Sequence, residues 1–147
     1  MWLSEHFTRQ EFEVSQTAER EELDNTIPTQ LLTPMMELCA GLLEPIRNHY
    51  GPVIISSGYR SPDLNRAIHG STTSQHCKGE AADIIIPGKI PLEVCRWIED
   101  ANLPYDQLIY EGRWTHISYS AKIRRQTLTA VFETGHAPIY LKGLQDV

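Results

Sequence analysis

Apolar residues recur at spacings of three and four along Leu32, Met35, Met36, Cys39, Leu42, Leu43 and Ile46. This stripe predicts an amphipathic helix over residues 29–50. Pro34 suits its first turn, whereas Pro45 should kink or finish it, with Gly51 and Pro52 just behind. Ahead of it, Thr8-Arg9-Gln10-Glu11 has the form of a capping box and predicts a short helix. Residues 13–28 are polar and read as a loop ending in Asn25-Thr26-Ile27-Pro28. Short apolar runs predict strands at 53–57 and 81–86, the second stopped by Pro87-Gly88. Between them, residues 58–62 read as a turn and 63–75 as a polar loop with room for one helical turn. Residues 91–101, opened by Pro91, form a short helix with Leu92, Val94, Cys95 and Ile98 inward. Residues 108–110 and 114–119 predict a hairpin turning at Gly112-Arg113, and 128–132 predict one more strand. The last fifteen residues show no decisive pattern.

Two helices, two strands, a helix and a hairpin, in that order, define an α+β chain with a small, mostly antiparallel sheet. A length of 147 residues suits one domain, 1–147, with its core in about residues 3–132. Hydrophobic residues at 41% and charged residues at 22% exclude a disordered chain. The net charge of −6, with Lys122, Arg124 and Arg125 as the one tight cationic cluster, excludes nucleic acid as a partner. No apolar run approaches the roughly 20 residues of a membrane-spanning helix. The opening MWLSEHFTRQEF lacks the basic start and apolar stretch of a secretory signal. The chain is therefore expected to be made in a cytoplasm, favoured as a monomer, and to act elsewhere only if released or carried.

Three cysteines without a CxxC pair argue against a disulfide framework. Cys39 and Cys95 fall on apolar helix faces and read as buried structural thiols. Cys77 adjoins His76, but consecutive residues of an extended segment point to opposite sides, so it is set aside as a ligand.

The chemistry concentrates in Ser74-Gln75-His76-Cys77-Lys78-Gly79-Glu80-Ala81-Ala82-Asp83. Small residues between His76 and Asp83 let the backbone fold back closely, and a carboxylate at the mouth of Ile84-Ile85-Ile86 needs a partner. His116, in Trp114-Thr115-His116-Ile117-Ser118, shares a strand face with Trp114 and Ser118. Two histidines and an aspartate suit a hydrolytic zinc site, with three protein ligands and one position left for water. Spacing alone leaves a second reading open, in which His76 and Asp83 simply pair with each other.

Three blocks, Ser56-Ser57-Gly58-Tyr59-Arg60-Ser61-Pro62, S-x-H-x(2)-G-x-A-x-D at 74–83 and W-x-H at 114–116, follow the opening Leu3-Ser4-Glu5-His6-Phe7-Thr8. Together they resemble the D-Ala-D-Ala carboxypeptidase-like zinc metallopeptidases, whose fold is shared with lysostaphin-type peptidases and hedgehog domains. Small phage and bacterial members are the most similar in look, and the resemblance spans residue 3 to about 130. It implies helices packed on one face of the sheet, and zinc held by His76, Asp83 and His116. It also implies a catalytic glutamate upstream of the last histidine. In well-known relatives that acid lies three residues before the histidine, where this chain has Arg113; Glu111, five residues before, is the nearest acid and is assigned as the catalytic base. Arg60 is expected to bind a substrate carboxylate or carbonyl, and Ser74 to contact substrate or position His76. The activity implied is hydrolysis of peptidoglycan stem or cross-link peptides, as a D,D-carboxypeptidase or endopeptidase of phage-lysin type acting at the cell wall. The alternative is a non-catalytic, zinc-containing binding module of the same fold.

Overall fold

Six short segments pair into one sheet in the computed structural model, which describes residues 1–147. They are β1 (Ile54–Ser57), β2 (Ala81–Ile85), β3 (Gln107–Tyr110), β4 (Thr115–Ser118), β5 (Gln126–Val131) and β6 (Ile139–Lys142). Their order is β1-β2-β4-β3-β5-β6, and every neighbouring pair is antiparallel except β3 with β5. The architecture is therefore α+β with a mostly antiparallel sheet, as the order of predicted elements requires. β6 lies in the C-terminal stretch where the pattern was silent, and it carries the sheet past residue 132.

The helices form for local reasons. In α1 (Arg9–Glu13) the capping box is complete: the Thr8 hydroxyl accepts from the Glu11 N–H, and the Glu11 carboxylate accepts from the Thr8 N–H at 2.8 Å. Residues 13–28 are not wholly loop, because they contain α2 (Gln16–Arg20), capped by Ser15 accepting from the Ala18 N–H at 3.2 Å. Five residues are too few for a helical period to show in the sequence. The region 63–75 similarly begins inside α5 (Pro62–Ala67), where Ser61 caps and Pro62 supplies the preset φ of a first turn.

The long apolar stripe becomes α3 (Leu32–Leu38), a π-helical turn (Cys39–Leu43) and α4 (Glu44–Tyr50). Pro45 does not finish this helix. It has no N–H to give the Gly41 carbonyl, and its ring would crowd that carbonyl in a regular α-helix. The wider turn just before it, where the Glu44 N–H reaches five residues back to the Cys39 carbonyl, absorbs the conflict. The last helix, α6 (Pro91–Asp100), runs as expected.

Strand alternation gives the sheet two unlike faces. Ala82, Ile84, Leu108 and Ile117 join Met35, Leu38, Leu42, Ile46, Cys95 and Ile98 in one core, so α3, α4 and α6 all supply side chains to that face. Burial pushes the thiols of Cys39 and Cys95 up to about 12, in keeping with inert packing groups. The opposite face carries Asp83, His116, Ile109 and Glu111. Packing one face leaves the other free to hold polar groups on rigid backbone.

A buried polar residue ties the N-terminal segment to this frame. The Asn25 side chain donates to the Glu13 carbonyl at 2.9 Å and the Tyr59 carbonyl at 3.0 Å, and accepts from the Ser61 N–H at 2.7 Å. It thereby fixes the backbone on both sides of Arg60.

Candidate metal centre and cleft

Asp83 lies on the open face of β2, directly across from His116 on β4. His76 approaches from outside the sheet on a 3-10 turn (Gln75–Lys78), which Ser74 caps by accepting the His76 N–H at 3.2 Å. Gly79 ends that turn at φ 69°, a left-handed conformation that favours glycine. The chain then enters β2 through Ala81 and Ala82, both wholly buried. A bulge at Ser56 shifts the β1–β2 register so that Ser57 faces Asp83. Ser57 Oγ in turn accepts from Arg60 Nε at 3.3 Å, which places the guanidinium 3.6 Å from Asp83 Oδ2.

Side-chain donors of His76, Asp83 and His116, one from each, lie within 4.8 Å of one another, and all three residues are buried. His116 Nδ1 is 3.0 Å and His76 Nε2 is 3.4 Å from the same oxygen, Asp83 Oδ1. Cys77 is half-buried and outside this group.

The tautomer of His76 decides what the cluster suits. Its Nδ1 is 2.7 Å from the Gly58 carbonyl, which can only accept, so Nδ1 carries the proton. Burial holds the His76 imidazole below its ordinary value, against the pull of Asp83, so it is neutral at pH 7. Nε2 is then a bare lone pair aimed at a carboxylate oxygen. Burial also works against ionisation of Asp83, but His76 and His116 beside it hold the carboxyl well below the usual range, so Asp83 is an anion. An anionic oxygen and a lone pair in contact repel unless a cation joins them. Two imidazole nitrogens and one carboxylate oxygen are a fitting donor set for zinc, and the Gly58 carbonyl, which sets the His76 tautomer, would be the outer partner of such a site.

Gly58 is therefore doubly constrained. A Cβ there would lie 2.6 Å from the Cα of Phe12, a wholly buried residue. Gly58→Ala is expected to cost about 1–3 kcal/mol by overpacking, read as a lower urea midpoint at unchanged slope. It should also loosen the His76 ring, because the displaced carbonyl no longer orients it, and so lower the affinity for added zinc.

Around the cluster opens a cleft of about 930 Å³ whose lining includes all six residues singled out in the sequence: Arg60, Ser74, His76, Asp83, Glu111 and His116. Glu111 follows β3 on the face shared with Ile109 and His116, while Arg113 is exposed on the hairpin turn. Burial first, and the negative charge of Asp83 second, push the Glu111 carboxyl up from its ordinary value. That is the direction a proton acceptor near neutral pH requires. Asp63 is engaged with Arg66, leaving Arg60 to the cleft. His69 lines the cleft from an exposed turn, and His6 bonds Glu44 at 2.6 Å, away from the cleft.

Sequence reasoning missed the cleft's far wall and its bracing. Asp106 accepts from Arg124 Nε at 3.0 Å and from Gln75 at 2.9 Å, tying the segment before β5 to the turn that carries His76. The charge-assisted bonds from Arg124 hold Asp106 well below the usual carboxylate range. The distant pairing of residues 75, 106 and 124 leaves no local signature.

An open sheet face with a convergent His-Asp-His group, beside an acid shifted towards neutrality, is the arrangement of a metal-dependent hydrolase. The comparison with known families is narrower. A family model described as peptidase M15 matches residues 5–118, and the chain belongs to that family. The match supports a peptidase of the D-Ala-D-Ala carboxypeptidase-like group that the sequence blocks resemble. No curated protein matches the chain.

Proposed function

We propose that this chain is a zinc-dependent peptidase of the bacterial cell wall, cutting peptidoglycan stem or cross-link peptides as a D,D-carboxypeptidase or endopeptidase. The observation that carries the metal is the His76 lone pair turned onto Asp83 at 3.4 Å, with the other ring nitrogen committed to Gly58. The wall substrate rests on the resemblance of the sequence blocks. A phage lysin, monomeric and reaching the wall after release or from a virion, is the setting that fits.

His76, Asp83 and His116 would hold the ion. Zinc bound there supplies an acidified water and a Lewis acid for the scissile carbonyl. The Glu111 carboxylate accepts a proton from the attacking water and returns it to the leaving amine nitrogen. Arg60 offers its remaining N–H groups to a substrate carboxylate or carbonyl, held by Ser57 and by the charge of Asp83. Ser74 acts through the backbone, capping the turn that presents His76.

The test is elemental analysis of the purified chain, followed by amine release from purified peptidoglycan and mass spectrometry of the fragments. The expected result is close to one zinc per chain and new amino termini that disappear with chelator. Zinc without turnover on any muropeptide would instead favour the binding-module alternative. Absence of zinc after reconstitution would remove the reading altogether.

A further inference from the structure

The family match ends at residue 118, yet the sheet continues, and its continuation builds one end of the cleft. The register pairs Ile109 with Leu128, Leu128 with Lys142 and Ala130 with Tyr140. Paired residues point to the same side of a sheet, so Leu128 and Tyr140 share the face of Ile109, Glu111, His116 and Asp83. Leu128 and Tyr140 both line the cleft. The groove therefore crosses the strands from the metal centre over an apolar floor of Ile109 and Leu128, and a phenol stands at its far end.

That phenol is free. The Tyr140 hydroxyl has no hydrogen-bond partner within the chain, whereas the Tyr105 hydroxyl, by contrast, is engaged by Thr127 at 2.6 Å. Half of Tyr140 is exposed although it sits in a strand. Burial first, then the charges of Glu111 and Asp83, push its pKa up, so it is a protonated donor at neutral pH. Three strand spacings separate β6 from β4, about 14 Å at roughly 4.8 Å each. Even with the reach of the side chain, that is too far for the reacting carbonyl. It suits a group about two residues away along an extended peptide, at about 3.3 Å per residue.

We propose that Tyr140 is a specificity-determining substrate contact, donating its hydroxyl hydrogen to the main chain of an extended peptide about two residues from the scissile bond. The site then selects peptides long enough to run across β3, β5 and β6 over those that end beside the metal. The inference rests on the peptidase reading for the scissile bond, but not for the binding.

The probes are peptides of two to five residues released from purified peptidoglycan, used with the full zinc-loaded chain. Turnover gives kcat and KM for wild type, Tyr140→Phe and Tyr140→Ala. Calorimetry gives Kd in a Glu111→Gln background, where turnover is slowed by about 10²–10⁴. Tyr140→Phe should raise KM and Kd for the longest peptides roughly three- to tenfold, leave the two-residue peptide unchanged and alter kcat little. Tyr140→Ala should show the same length dependence with a larger shift. Equal effects on long and short peptides, or none on either, would overturn the proposal. Binding that depends on length and on Tyr140 without any hydrolysis would uphold it while removing the peptidase reading. Failure of every peptide to bind would overturn both.

Discussion

Asp83→Asn is expected to reverse the order of thermal stability between zinc-loaded and metal-stripped protein. With zinc at about a thousandfold above its Kd, binding stabilises the fold by about 4 kcal/mol. Two imidazoles alone hold the ion poorly, so the variant loses that contribution and melts roughly 8–16 °C below wild type. After chelation the order inverts. The stripped wild type keeps the Asp83 carboxylate 3.4 Å from the Nε2 lone pair of a neutral His76. An asparagine with its amide nitrogen in place of Oδ1 can donate one N–H to that nitrogen and the other to His116 Nδ1, once the His116 ring carries its proton on Nε2, while its oxygen faces Arg60, a gain of about 1 kcal/mol. Arg60, which loses a charged neighbour, keeps its bond to Ser57. Scanning calorimetry with and without EDTA checks both halves. Asp83→Asn melting below wild type in both conditions would mean that His76 and Asp83 are a structural pair, as spacing alone allowed.

What could be read from the sequence follows from how local each signal is. The stripe from Leu32 to Ile46 spans four turns, so its period shows, and the helix is there. The response to Pro45 is not readable in the same way, because a π turn and a helix end both relieve the same missing hydrogen bond. α2 and α5 have five and six residues, too few to display a period. β3 and β4 are close in sequence and joined by a tight turn, so their pairing is local. The parallel pairing of β3 with β5 is a tertiary fact, and so is the addition of β6.

The site divides along the same line. His76, Asp83 and His116 carry residue types that announce metal chemistry, and the blocks around them resemble a family. Their convergence depends on elements a sequence pattern does not show. The bulge at Ser56 aligns Ser57 with Asp83, and the Gly58 carbonyl sets the His76 tautomer. Asn25, in a segment read as loop, is buried and holds the backbone beside Arg60. The first two act through main-chain atoms, which every residue possesses, and the Asn25 side chain binds main-chain atoms of distant segments, so residue type gives no hint of them. Glu111 is the nearest acid but does not have the spacing of the relatives' glutamate, because Arg113 occupies that position. The structure places Glu111 in the cleft and Arg113 in solvent. The family match supports a peptidase and leaves the identity of the base to experiment.

That experiment is Glu111→Gln. The amide has the shape of the acid but accepts no proton, so kcat should fall by about 10²–10⁴. KM and the zinc content should stay near wild type, because Glu111 is outside the His76–Asp83–His116 group. The pH profile gives an independent reading. Burial and the Asp83 charge raise the Glu111 carboxyl above its ordinary value, so the group is protonated and idle in acid and becomes a base as pH rises. Activity of the wild type should climb through that pKa, and the climb should be absent from whatever activity Glu111→Gln retains. A Glu111→Gln enzyme with full kcat and an intact acid limb would transfer the proton-accepting role to another group and leave Glu111 as a half-buried acid at a hairpin end.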